Sequence, residues 1–481
     1  MSQGIAAGSA ADDPRVSASG GVAASTKGQV SWALFEWARN PYVLLITIYV
    51  FAPYFSGDLV GDPVAGQALW GDLSSLGGFV IAFLAPILGA VADLGGRRKP
   101  WIAGFAFVLA LLTFSLWFAV PDEAMLPLWV IGFIIVANNV LFEFTAVFHN
   151  AMLPEICSRK RVGAISGLGL ALGNLAGLIM LLFMLWAFAL PGLVDWGFVP
   201  GEPLFGLDRA AHQTERISGP ITAIWLLVFT LPLLLFTPDR ASSGLPLGTA
   251  VTKGVSRVLK TLRDALHYRN VATYLLARMF YNDGKTAILT FGGIYVAGTF
   301  SWGPLDMLAY GVTLSIFAVA GGFVGGWLDD HLGSQKAILV SISGTAIGLV
   351  ASLLTTPTSV LGIWTWTPET VPVLYDGPFF NTVPEAVYVG LVILIAIFIT
   401  AAYANSRTML ARIAPPEKMA EFFGLYALSG TATAFMAPFV VGAFTRWFDS
   451  QAAGMASILI FLAIGLIGML FVKDERAVAK D

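Results

Sequence analysis

Twelve stretches of mostly apolar residues are strung along the chain, each close to the ~20 residues that a helix needs to cross a bilayer. They run over 31–55, 68–92, 101–120, 126–150, 163–190, 219–237, 272–297, 305–328, 337–354, 385–409, 421–446 and 452–472. Polar and charged residues collect between them. The elements predicted are twelve transmembrane helices and no sheet.

The second half repeats the plan of the first. Residues 89–99 read GAVADLGGRRK and residues 326–336 read GWLDDHLGSQK, each between two apolar stretches. Gly89, Asp93, Gly96 and Lys99 map onto Gly326, Asp330, Gly333 and Lys336 with one offset of 237 residues. The expected architecture is an all-α integral membrane protein with twelve helices in two pseudo-symmetric six-helix bundles. Its parts are a disordered tail at 1–30, a first bundle at 31–237, a linker at 238–271, a second bundle at 272–472 and a short tail at 473–481.

Composition agrees. The chain is 57% hydrophobic and only 12% charged, against about 25% charged in soluble domains. A single cysteine, Cys157, rules out an intrachain disulfide framework. Residues 1–29 lack the apolar core of a secretory signal. Sidedness follows from Lys and Arg. With the amino terminus inside, 21 of the 27 fall on the inner segments. Only Arg209, Arg216 and Arg446 fall outside, which puts both termini in the cytoplasm, with a bacterial inner membrane as the expected location. In the linker, residues 253–270 space apolar side chains among basic ones and predict an amphipathic helix at the inner surface, or a plain tether.

Six ionisable residues lie well inside the apolar stretches, where each costs several kcal/mol, with estimates from ~2.5 to above 10. They are Glu36 and Arg39 in the first, Glu143 in the fourth, and Arg278, Asp283 and Lys285 in the seventh. Glu36, Arg39 and Asn40 share a helix face, and Pro41 predicts a kink beside them. Arg278, Tyr281 and Lys285 share another face, with Asn282 beside it and Asp283 pointing elsewhere. Two cations, a phenol and an amide on one face can bind a carboxylate, Arg bidentately. They can equally form a salt bridge to Glu36 or Glu143. Asn139 and Glu143 lie four apart, and Glu143 is a candidate proton carrier or one member of an ion pair. His149 near the inner end reads as a hydrogen-bonded helix-end residue.

No metal site is expected, because four histidines and one cysteine are scattered without ligand spacing. GGRRK lacks the GxxxxGK[ST] spacing of a phosphate loop. No nucleophile–base set is visible, so the chain is not expected to be an enzyme. No cofactor and no nucleic-acid partner are expected.

Twelve spans, a basic central linker and the repeated loop resemble the major facilitator superfamily. Finer strings are WALFEWARNPY at 32–42, FHNAMLPEI at 148–156, RVGAISGLGLALGNLAG at 161–177, ARMFYNDG at 277–284 and SRTMLARIAPPEKMAEFFGLYALSGTATAFMAP at 406–438. They resemble the family within it first named for its unknown function, whose eukaryotic relatives include the autophagy-related vacuolar amino-acid effluxer. The resemblance implies a secondary transporter working by alternating access. It also implies that spans one, four, seven and ten line a central cavity, where span ten adds Tyr403, Asn405 and Arg407.

The expected substrate is a small polar or zwitterionic solute, an amino acid first, moved outward, with protons as candidate coupling ion and the lipid bilayer as surroundings. The substrate-binding candidates are Arg278, Lys285, Asn282, Tyr281, Glu143, Asn139, Tyr403 and Asn405. Glu36, Arg39, Asp283 and Glu143 are the proton-coupling or gating candidates. Gly89, Asp93, Gly96, Arg97, Arg98, Asp330 and Gly333 form the expected conformational-switch loops, with Arg97 and Arg98 pairing to Asp93 or Glu155. The rival reading is a non-transporting solute receptor on the same scaffold.

Overall fold

A computed structural model of the chain describes residues 15–17, 19–94, 96–121, 125–158, 161–241, 248–249, 252, 256, 263, 266–414 and 419–473. Among them, eleven helices are long and apolar enough to cross a membrane. A further helix, Arg269–Phe300, has the length but carries Arg278, Asp283 and Lys285 in its interior. In chain order the spans are α1 (Thr26–Leu59), α2 (Pro63–Leu94), α3 (Lys99–Ser115), α4 (Leu128–Ile156), α5 (Val162–Met184) and α6 (Ser218–Phe236). They continue with α7 (Arg269–Phe300), α8 (Pro304–Leu332), α9 (Ser334–Leu353) and α10 (Val383–Ile413). Next come α11 (Met419–Thr431) and α12 (Met436–Trp447), which make one span broken at 432–435, and last α13 (Gln451–Leu470). A small antiparallel pair, β1 (Ser359–Val360) and β2 (Trp364–Thr365), sits in the loop before α10.

Pro41 marks a real irregularity. Beyond it α1 turns to a π-helix over Val43–Tyr49, breaks at Val50 and resumes over Phe51–Tyr54. A proline removes one backbone donor, and π-turns are a usual way for a helix to absorb that defect.

The amino-terminal segment corrects the expectation of a disordered tail at residues 15–17 and 19–25. Gly20 adopts a left-handed φ of 93°, and Val16 pairs across the turn with Val22. Ser19 N donates to Pro154 O (3.1 Å) and Ala24 N to Ile156 O (2.8 Å). The last carbonyls of a helix have no partner within it, and this strap supplies donors to those of α4. Ser25 then caps α1. The amphipathic helix expected at 253–270 lies largely outside the described residues.

The chain divides into two compact units. The first holds Met1–Ile46, Phe83–Met180 and Arg216–Val258; the second holds Thr47–Ala82, Leu181–Glu215 and Leu259–Asp481. In the first unit, Gly169, Gly173 and Gly177 of α5 face Ala33, Glu36, Asn40 and Leu44 of α1, so the small-residue run packs this helix pair closely. In the second, Gly321 and Gly325 of α8 press on Ile397 and Ala401 of α10.

The second unit also takes in the distal halves of α1 and α2, the halves remote from the chain's described ends. Gly71 and Gly78 of α2 abut Gly442 and Phe435, and Gly293 of α7 abuts the carbonyl of Ile48. A buried polar cluster crosses this contact. Gln67 Nε2 donates to Thr445 Oγ1 (2.8 Å) and to Gln451 O (3.0 Å). Gln451 Nε2 donates in turn to Pro63 O at 2.9 Å. Arg446 pairs with Asp72 at its exposed rim.

Candidate solute site

The candidate residues fall into one set in each unit. In the second unit they lie on α7, α10 and α11. Arg278, 4% exposed, donates through Nη1 to Tyr426 O (2.8 Å) and Ser429 Oγ (2.6 Å), and its guanidinium covers the Tyr426 ring at 3.5 Å. Both acceptors belong to the last two turns of α11. Tyr281 shares Ser406 Oγ with Tyr274, each at 2.9 Å.

Lys285 differs from Arg278. It is 2% exposed, and its ammonium meets the rings of Tyr403 (4.6 Å) and Tyr281 (5.2 Å). Among the described residues no carboxylate and no hydrogen-bond acceptor pairs with it. Ring faces attract a cation by ~2 kcal/mol or more when desolvated, less than a carboxylate offers a buried ammonium. Asn282 and Asn405 are buried on α7 and α10, with Asn405 Nδ2 lacking a partner among the described residues. Tyr403 is 46% exposed, and Arg407 is exposed too. Asp283 is buried, and its Oδ2 has no hydrogen-bond partner among the described residues. The face of α7 bearing Arg278, Tyr281 and Lys285 is therefore one the sequence places together and the fold keeps together.

In the first unit, Glu36 Oε1 receives Arg39 Nη1 at 3.2 Å, and Arg39 Nη2 donates to Phe142 O at 3.2 Å. His149, fully buried, stacks on Trp32 at 4.2 Å. Its Nε2 lies 2.9 Å from Trp32 O, while Trp32 Nε1 donates to His149 O at 2.9 Å. A carbonyl only accepts, so Nε2 carries a proton. Nδ1 lies 3.4 Å from Glu36 Oε1 and meets it favourably only when it too is protonated. This His149–Glu36 contact brings α4 to α1. Spacing gave no sign of it, because the two residues are 113 apart in sequence. Glu143 is half-buried and pairs with no described residue; Asn139 is half-buried beside it. Asn138 is fully buried with both amide atoms unpartnered among the described residues.

The two loops are built differently. In the first, Gly96 adopts a φ of 93°. Gly89 faces open space, Arg97 is exposed, and the side chain of Asp93 lies outside the described residues. Arg98 is buried; its Nε donates to Ala92 O (3.0 Å) and its Nη2 lies 3.7 Å from Glu155. Asp239 accepts the backbone donors of Arg98 and Lys99, each at 3.0 Å, which satisfies the start of α3. In the second loop Gly333 adopts a φ of 82°. Here the acid that makes contacts is Asp329, not Asp330. Asp329 takes Ser334 Oγ at 2.5 Å and Arg412 Nη2 at 2.6 Å, while Asp330 is exposed. Adjacent helical residues point about 100° apart, so only one of the two faces α10.

The comparisons fit this architecture. A family model described as Vacuole effluxer Atg22 like matches residues 72–481. An uncharacterized MFS-type transporter of Bacillus subtilis (strain 168), YxiO, is 24% identical over 455 residues, covering 94% of this chain and 96% of that one. Autophagy-related protein 22 of Yarrowia lipolytica (strain CLIB 122 / E 150) is 22% identical, over 72% of this chain and 56% of that one. The crystal structure of a D-xylose-proton symporter matches with a TM-score of 0.63 at 12% identity, covering 93% of this chain and 96% of the other. At that identity the structural likeness establishes the fold alone.

Proposed function

The chain belongs to the Vacuole effluxer Atg22 like family, within the major facilitator superfamily, and is a multi-pass secondary transporter; from that premise we propose that it carries an amino acid out of the cell by alternating access, with protons as coupling ion. Lys285 carries the substrate reading. An ammonium that is buried and, among the described residues, meets only ring faces needs an anionic partner, and a solute carboxylate supplies one. Arg278, Tyr281, Asn282, Tyr403 and Asn405 frame that position on α7 and α10.

The proton reading rests on the first unit. His149 and Glu36 make a contact whose sign depends on the imidazole's second proton, and Arg39 holds Glu36 in place. Glu143, with no paired cation among the described residues, is a second acceptor there. Asp283, in the other unit, has a carboxylate oxygen unpartnered among the described residues. The charge asymmetry of the segments supports cytoplasmic termini in a bacterial inner membrane. On that orientation the polar cluster of Gln67, Thr445 and Gln451 lies toward the outside.

Counterflow in proteoliposomes with a mixed amino-acid panel, with and without a pH gradient, tests this. We expect exchange of at least one amino acid in the native protein and none above background in Lys285→Gln. Full exchange in that variant removes Lys285 from binding. Flux indifferent to the gradient removes the proton.

A further inference from the structure

We propose that the solute held at Lys285 lodges a short aliphatic group in a small cavity one turn further along α7, and that the missing side chain at Gly292 sets the largest group this subsite accepts. The inference rests on reading Lys285 as the anchor for the solute's anionic head.

Lys285, Leu289 and Gly292 stand at i, i+4 and i+7, so they share one face of α7 with Arg278 and Tyr281. Leu289 is 43% exposed on that face, which therefore borders unfilled space beyond Lys285. There a cavity of about 40 Å³ is bounded by Leu289, Gly292, Ile48, Tyr49, Tyr310 and Val392. These residues come from α1, α7, α8 and α10, all within the second unit. Such walls are apolar, and an apolar group gains by leaving water for them. Size narrows the class. An engineered apolar cavity that admits benzene measures about 150 Å³. The cavity here is too small for an aromatic ring and suits a chain of a few carbons.

Gly292 has no packing reason to be glycine. A Cβ added there meets nothing within 4 Å, whereas at the next residue, Gly293, it runs into the Ile48 carbonyl. Glycine inside a helix is disfavoured relative to alanine. What Gly292 does leave is an open mouth to the cavity. The ligand chemistry is thus an anionic head with a short aliphatic tail, which an aliphatic amino acid and a short-chain carboxylate share.

The test uses the full-length protein in proteoliposomes. The probes are glycine, alanine, 2-aminobutyrate, norvaline and phenylalanine, with butyrate and valerate as tails that lack the amine. We expect native flux to rise with tail length to norvaline and to fall for phenylalanine. Gly292→Ala should lower norvaline flux at least tenfold relative to alanine, and Gly292→Val should extend that loss to 2-aminobutyrate. If butyrate and valerate follow the same order, the head is a carboxylate without need of the amine; if only the amino acids do, the zwitterion is the ligand. Melting temperatures of both variants should match or exceed the native value, since the added groups enter open space. A loss that is uniform across tail lengths, or none in either variant, overturns the subsite while leaving Lys285 as anchor. Native protein that carries no member of the panel overturns the subsite and the function it rests on together.

Discussion

Lys285 directs its ammonium at the ring of Tyr403, 4.6 Å from its centre, from the buried middle of α7. A structural ion pair and a substrate anchor differ in what removing the charge does to stability. Taking one partner from a buried pair leaves the other uncompensated and destabilises. Taking away a charge with no counter-ion relieves a desolvation penalty. We expect Lys285→Met to raise the stability of the detergent-solubilised protein by roughly 1–3 kcal/mol while lowering counterflow more than tenfold. A melting curve read beside the flux decides it, and a lower melting temperature makes Lys285 a structural residue.

Gln67 offers a test of the distal contact. It is fully buried and serves both Thr445 and the carbonyl of Gln451. Gln67→Leu keeps most of the volume and leaves two buried groups short of a donor, a penalty of ~1–3 kcal/mol. Spin labels at the exposed positions Asp62 and Asp449 should then show a longer-distance population enriched about tenfold, the equivalent of ~1.4 kcal/mol. An unchanged distance distribution means that the contact is held by the glycine packing of α2 on α12.

Much of the fold is legible in the sequence because spans are defined by length and polarity alone. The eleven apolar helices, the charged α7 and the defect after Pro41 all follow from composition along the chain. What escaped depends on direction and distance. Hydropathy does not separate Asp329 from Asp330, although one grips Arg412 and the other faces outward. It does not reveal that Arg278 is met by Ser429 and the carbonyl of Tyr426, since those acceptors lie about 150 residues further along the chain, on another helix. Nor does it show the strap at 19–25, whose polar residues look disordered until the carbonyls of Pro154 and Ile156 are there to receive them.

Cys157 sits just past α4, and burial pushes its thiol from 9.0 up to about 11, against a lowering by Arg161. The thiolate is the species that alkylates. At pH 8 the native protein should react with iodoacetamide more than tenfold slower than the unfolded chain, with the native rate climbing through pH 11. Above pH 9 the unfolded thiol loses its proton first, so native protein binds more protons and its stability falls as pH rises. Equal rates in native and unfolded protein mean that the thiol is open to solvent.

The contact between His149 and Glu36 makes the last prediction. His149→Phe keeps a ring to stack on Trp32 but removes both the donor to Trp32 O and the group facing Glu36. Loss of one buried hydrogen bond, with the carbonyl left unpaired, should lower stability by ~1–3 kcal/mol. If the imidazole takes up the coupled proton, this variant should exchange solute across equal concentrations at near-native rates. An imposed pH gradient should no longer drive accumulation. His149→Gln restores a donor to the carbonyl but cannot titrate, so it should recover the lost stability and not the gradient dependence. Accumulation that persists in both variants passes the proton to Glu143 or Asp283, where Glu143→Gln and Asp283→Asn in the same assay separate the two.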